Sequence, residues 1–96
     1  DDFEYPVKLV TLDSILKNIQ DPMIIKIDAE GAELPILQGA INTLKRKNIL
    51  WIIEHHEGVY QDLKGRREEI IVFMSKYGYK LIQISLDSSK TIFVKE

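Results

Sequence analysis

Apolar and polar positions along the chain alternate between short continuous runs and spaced stripes. Apolar residues run almost without interruption over Met23–Ile27 and over residues 49–53, a pattern typical of strands covered on both faces. The β-rich segment 7–10 predicts an earlier strand. Segments 79–86 and 91–95 predict two further strands, which a short polar loop joins as a hairpin.

Helices are predicted where apolar residues recur three or four positions apart. Three such stripes cover residues 12–19, 37–44 and 70–77. Thr11 is suited to cap the first helix, which should end before Pro22. The second should start near Pro35 and run to about residue 47, and Asn48 and Gly78 lie where left-handed residues end helices.

The predicted element order is β-α-β-α-β-α-β-β, in a single domain over residues 1–96. Strands that alternate with helices favour a parallel sheet with right-handed crossovers and helices on both of its faces. The terminal hairpin should add an antiparallel edge strand. We therefore expect an α/β fold in three layers, with a mostly parallel sheet.

Composition excludes several classes of function. The chain has no cysteine, which rules out disulfides, thiolate zinc sites and thiol catalysis and suits a reducing cytoplasm. Its net charge of −2 and its lack of a basic stripe argue against nucleic-acid binding. No apolar run approaches the roughly 20 residues that a membrane span requires.

Charged residues directly follow both of the covered strands. Asp28 and Glu30 follow the first, and Glu54, His55 and His56 follow the second. In open α/β sheets, ligands bind beyond the carboxyl ends of the strands. Because parallel neighbours lie about 4.8 Å apart, these side chains are expected to share one rim.

Structural roles would also account for several of these residues. Asp28 can cap the following turn, and Glu30 and Glu33 lie near a helix start, where carboxylates are favourable. Lys26 can snorkel or pair with a carboxylate. A divalent metal site, as in a small hydrolase, is a further alternative. Its ligands would be Asp28, Glu30, Glu54 and His56.

Four segments resemble, in the same order, the second half of FkbM-type methyltransferases. They are TLDSIL (11–16), IIKIDAEGAELPILQGA (24–40), IIEHH (52–56) and YGYKL (77–81). The family comprises Rossmann-like, S-adenosylmethionine-dependent enzymes that are associated with O-methylation of hydroxyls on sugars, polyketides and related metabolites. The resemblance implies that the chain is the C-terminal part of such a domain and acts on a small-molecule hydroxyl acceptor.

The resemblance also implies roles for the residues of the rim. Asp28 would end the fourth strand of the methyltransferase sheet and face the reaction centre. Asp28 or His56 would take the proton of the acceptor hydroxyl, and Glu30, Glu54 and His55 would bind the substrate or orient the base. This assignment involves no metal ion.

The chain departs from the family pattern on the cofactor side. The family's first half should supply a strand and a glycine-rich turn, whereas the five glycines here form no G-x-G. We therefore assign no cofactor-binding residue and expect the chain to be inactive in isolation. It would be either a methyltransferase fragment or a non-catalytic half-domain for interaction or assembly, and its open sheet edge favours pairing between two copies.

Overall fold

The computed structural model describes residues 9–29, 31–55, 63–85 and 90–95, with the backbone alone over 63–66. The elements are α1 (Leu12–Leu16), β1 (Met23–Ile27), α2 (Glu33–Gln38), α3 (Ile41–Leu44), β2 (Ile49–Glu54), α4 (Leu63–Ser75), β3 (Tyr79–Ile84) and β4 (Lys90–Lys95). Over these ranges no helix combines the length and apolar character needed to cross a membrane.

The four strands form one sheet in the order β1-β2-β4-β3. β1 and β2 pair in parallel, with Ile27 opposite Ile53, whereas β4 pairs antiparallel with both β2 and β3. β1, β2 and β3 therefore point the same way, and β4 runs in the opposite direction between β2 and β3. Most pairings are antiparallel, which corrects the predicted mostly parallel sheet.

The hairpin strand β4 lies inside the sheet, although the sequence predicted it at the edge. Its side chains alternate, so that Thr91 and Phe93 are fully buried and Phe93 pairs with Trp51 of β2. β3 takes the edge instead, and its Gln83 and Ile84 are exposed. The strand of a hairpin that contributes more to the core takes the inner position in the sheet. The alternating apolar residues of β4 contribute more to the core than those of β3.

The described part of the chain has two layers rather than the three predicted. The buried residues of the helices and strands form one cluster, whose strand members all lie on the same face of the sheet; these members are Ile27, Ile49, Trp51, Ile53, Tyr79 and Phe93. On the opposite face, Ile24 of β1 is 73% exposed. No described helix covers that face.

The predicted first strand is not observed in the described residues. Leu9 and Val10 belong to no strand and are exposed, and residues 7 and 8 lie outside the description. The described elements therefore begin with α1. In the sheet that the structure describes, no strand pairs with Leu9 or Val10.

The long second helix of the prediction is divided into α2 and α3 at Gly39 and Ala40. The Gly39 amide donates to the carbonyls of Pro35 and Ile36, which closes α2. A Cβ on Gly39 would lie 3.4 Å from that of Thr11, so the absence of a side chain at Gly39 leaves room for the start of α1. The predicted left-handed residues are confirmed, with φ of 62° at Asn48 and 86° at Gly78.

Polar contacts help to hold α1, since none of its residues is fully buried and only Leu12 packs, partly buried, against the core. Thr11 caps it as predicted, accepting from the Ser14 amide at 3.2 Å. Asp13 accepts from the amides of Asn42 and Thr43 at 2.8 and 2.7 Å, and from the Thr43 hydroxyl at 2.6 Å. The carboxylate of Asp13 therefore caps α3 as well as lying in the first turn of α1.

Arg46 secures the segment that follows α1. Its guanidinium donates to the carbonyls of Leu16 and Ile19 and to the carboxylate of Asp21, the last at 2.7 Å. α1 ends at Leu16, before the helix end that the sequence predicted, because these carbonyls are satisfied by Arg46 rather than by further helical turns.

Candidate functional site

The carboxyl ends of β1 and β2 lie side by side at one end of the sheet. Ile27 pairs with Ile53, so Asp28 and Glu54 follow directly on neighbouring strands. Asp28 is exposed, and Glu54 is partly buried. Two residues of the predicted rim thus emerge at the same end of the sheet, where a ligand would meet an open α/β sheet.

A row of charges crosses three strands beside this rim. Glu54 lies between Lys90 of β4, at 3.1 Å, and Lys26 of β1, at 4.0 Å. The predicted pairing of Lys26 with a carboxylate is confirmed, although this contact, the longer of the two, contributes little to stability. The closer lysine, Lys90, was missed in the sequence because it lay in the predicted hairpin loop.

His55 lies on the face of the sheet opposite to Glu54, since successive residues of a strand alternate. Its side chain is 1% exposed, and its Nε2 lies 3.0 Å from the hydroxyl of Thr91. That hydroxyl also lies 3.4 Å from the Ile53 carbonyl. The sequence did not single out Thr91, although its alternation with Phe93 places it on the buried face. Substrate binding by His55 stays a prediction.

Glu33, the first residue of α2, organises the turn after β1. Its side chain is 1% exposed, and its Oε2 accepts from the Ala29 amide at 3.1 Å. Both carboxylate oxygens lie 3.2 Å from the Gly31 amide. Gly31 has φ of 113°, a conformation that glycine adopts without steric cost. The carboxylate therefore reaches back from the helix start to the turn that carries Asp28.

Two residues of the predicted site, Glu30 and His56, lie outside the described residues. Their predicted roles in substrate binding and in proton transfer stay predictions. Among the residues that the structure describes, no cluster of three or more potential ligands could hold a metal ion. The metal alternative would therefore depend on the two residues that lie outside.

Comparison with known proteins agrees with the family resemblance. The family model described as "Methyltransferase FkbM domain" matches residues 1–81. Searches of curated proteins and of solved structures gave no significant match. Because the family model spans most of the chain, from before α1 into β3, the protein belongs to the FkbM methyltransferase family.

Proposed function

We propose that this chain forms the acceptor side of an S-adenosylmethionine-dependent methyltransferase, which methylates a hydroxyl group of a sugar or secondary metabolite. Membership of the FkbM family supports methyl transfer as the reaction class. The order β1-β2-β4-β3, with three strands pointing the same way, is compatible with half of a Rossmann-like sheet. The lack of cysteine suits our proposal of a cytoplasmic enzyme.

The observation on which the proposal depends is the register of β1 with β2. It sets Asp28 and Glu54 one residue beyond the pair Ile27–Ile53, at neighbouring carboxyl ends. A hydroxyl acceptor bound at this end would meet carboxylates from two strands. Carboxylates accept hydrogen bonds from hydroxyls and can take a proton, which are the two functions that an acceptor site needs.

In the proposed mechanism, Asp28 or His56 accepts the hydroxyl proton as the oxygen forms its bond to the methyl carbon. Glu54, together with Glu30, orients the acceptor, because correct alignment of the reacting atoms supplies much of the rate enhancement. When bound, S-adenosylmethionine would supply the methyl group, and its sulfur–carbon bond would break to give S-adenosylhomocysteine.

The described residues contain no glycine-rich turn. The chain has no G-x-G, and the amide of Gly31, in the turn after β1, already donates to Glu33. The backbone amides that hold a nucleotide at a glycine-rich turn are thus not supplied by this part of the chain. No step of the proposed mechanism depends on a cofactor contact from it.

The proposal is tested with the protein as its gene encodes it, by measuring S-adenosylhomocysteine formation across a panel of hydroxyl compounds. We expect Asp28→Asn or His56→Asn to lower kcat by about 10²–10⁴-fold, the usual contribution of a general base. Glu69→Gln, which alters an exposed acid of α4, is the control and should leave kcat unchanged. Full activity in both rim variants would contradict the proposed roles.

The alternative, a non-catalytic assembly module, predicts that no S-adenosylmethionine or S-adenosylhomocysteine binds. Calorimetric titration of the encoded protein with both compounds separates the two functions. Binding without turnover on any hydroxyl would contradict the acceptor class, and no binding of either compound would contradict the methyltransferase proposal as a whole.

A further inference from the structure

We propose that Glu33 is a positioning residue for methyl transfer, one that fixes the turn after β1 and thereby the location of Asp28. This inference rests on the proposed function, since the position of Asp28 matters to the rate only if Asp28 acts on the acceptor. Nothing in the sequence separated this role from an ordinary helix-start carboxylate, because Glu33 fits both descriptions.

The burial of Glu33 is the first reason. A carboxylate is costly to remove from water unless it is hydrogen bonded, and a residue that merely starts a helix does not need to be buried. Glu33 is only 1% exposed, whereas its two neighbours are more accessible. Ala32 is exposed, and Leu34, whose apolar side chain would suit burial better, is half-buried. The backbone amides that donate to the Glu33 carboxylate therefore compensate for its burial.

The direction of its hydrogen bonds is the second reason. A carboxylate that supports a helix through its dipole needs no contact with the preceding chain, whereas Glu33 reaches back to the amides of Ala29 and Gly31, at 3.1 and 3.2 Å. Along the chain, these two amides lie on either side of residue 30, which the sequence predicts to bind the substrate. Hydrogen bonds to a charged acceptor are among the stronger ones.

The geometry of the turn is the third reason. Besides the bonds to Glu33, a bond from the Ala32 amide to the Ala29 carbonyl at 3.2 Å closes the turn. Gly31 has φ of 113°, which an L-residue adopts only under strain. Asp28 is joined directly to Ala29, so a change in the Ala29 contact moves the backbone beside the proposed base. A displacement of about 1 Å in a reacting group can lower a rate about 10²-fold.

The test compares Glu33→Gln and Glu33→Ala with the control Glu69→Gln, which removes the same charge from the exposed surface of α4. Amide hydrogen exchange is followed by nuclear magnetic resonance on the 96-residue chain. We expect exchange at Ala29 and Gly31 to accelerate by about tenfold or more in Glu33→Gln and further in Glu33→Ala. The amides of β1 should keep their wild-type protection, and Glu69→Gln should change neither set.

The second readout is kinetic and uses the encoded protein. We expect Glu33→Gln to lower kcat by about 10-fold to 100-fold while KM for S-adenosylmethionine stays within about twofold, because the turn moves the base and not the cofactor. A purely structural role would lower the folded fraction, and the activity per folded molecule would stay unchanged. If Glu33→Ala fails to fold, Glu33→Gln, which keeps one acceptor oxygen, decides the question.

Failure of the inference is distinguishable from failure of the proposed function. An active wild-type enzyme in which Glu33→Gln keeps its kcat, or its protection at Ala29 and Gly31, would overturn the positioning role alone. A wild-type enzyme that neither binds S-adenosylmethionine nor turns it over would overturn the proposed function, whatever the exchange rates of the turn.

Discussion

Single carboxylates determine much of the local structure in this chain, and each does so by accepting backbone amides. Asp13 caps α3 from a distance of about thirty residues along the sequence, and Glu33 holds the turn after β1. Glu54, by contrast, pairs with lysine side chains. Carboxylates therefore accept backbone amides in two places and pair with lysine side chains in the third.

Asp13 provides a prediction about pH. Burial disfavours its charged form, but hydrogen bonds from the Thr43 hydroxyl and from the Asn42 and Thr43 amides, with the charge of Lys45, outweigh that effect and lower its pKa below 3.8. A lowered folded-state pKa means that the charged group stabilises the fold at pH values above 3.8, and that this contribution is lost as the pH falls through the folded pKa.

We therefore expect Asp13→Asn, which removes the charge and one of the two acceptor oxygens, to lower the free energy of unfolding by about 0.5–1.5 kcal/mol at neutral pH. The difference from wild type should shrink as the pH falls below about 4, where the unfolded-state carboxyl becomes protonated, and should vanish below the lowered pKa of the native carboxylate. Urea unfolding at a series of pH values measures both quantities. Glu68→Gln, on the exposed face of α4, is the control, and a difference that stays constant down to pH 2 would contradict the ionic explanation.

At the scale of elements, the two strands β1 and β2 were predictable because each is a short, isoleucine-rich apolar run, although the predicted cover on both faces is not met in the described residues, where Ile24 is 73% exposed. The stop residues Asn48 and Gly78 were predictable for a similarly local reason, since a left-handed backbone favours these two residue types. The location of Asp28 beside Glu54 followed from the strand assignment alone.

The remaining features depend on distant parts of the chain. The position of β4 between β2 and β3 depends on how Phe93 packs against Trp51, and no local pattern distinguishes that arrangement from an edge strand. The early end of α1 depends on Arg46, which lies about thirty residues away in the sequence. The role of Glu33 depends on the path of the turn, and spacing along the sequence does not contain that path.

The docking of α1 gives a prediction at this scale. Asp13 attaches the start of the helix to α3 and Arg46 attaches its end, in addition to the packing of the partly buried Leu12 against the core. Two contacts that hold the same short element should depend on each other, because either one preorganises the segment for the other.

We expect Arg46→Lys to lower the free energy of unfolding by about 1 kcal/mol, because an ammonium group cannot reproduce the several contacts of a planar guanidinium. In combination with Asp13→Asn, the loss should be smaller than the sum of the single losses by about 0.5 kcal/mol or more. A double-mutant cycle in urea measures this coupling. Strict additivity would show that the two ends of α1 dock independently.

At the scale of the whole molecule, the sheet has one covered face and one that the described residues leave open. On the open face, Ile24 of β1 is 73% exposed, and β1 is also an edge strand of the sheet. An apolar edge with unpaired backbone groups promotes pairing with another chain. The opposite edge, β3, also exposes isoleucines, Ile82 at 54% and Ile84 at 40%, but a register shift at Ile82 disturbs the strand.

This difference between the edges gives a prediction about self-association of the 96-residue chain. A register shift hinders further pairing, so two copies should pair along β1 and not along β3. We expect Ile24→Lys to abolish concentration-dependent association, with a change in the free energy of unfolding within about 0.5 kcal/mol, as for most surface substitutions. Sedimentation velocity over a wide concentration range measures the association.

Ile82→Lys adds the same charge to the other edge and should leave the association unchanged. A wild-type chain that stays monomeric throughout, or one in which Ile82→Lys acts as strongly as Ile24→Lys, would show that the regular apolar edge of β1 does not mediate pairing.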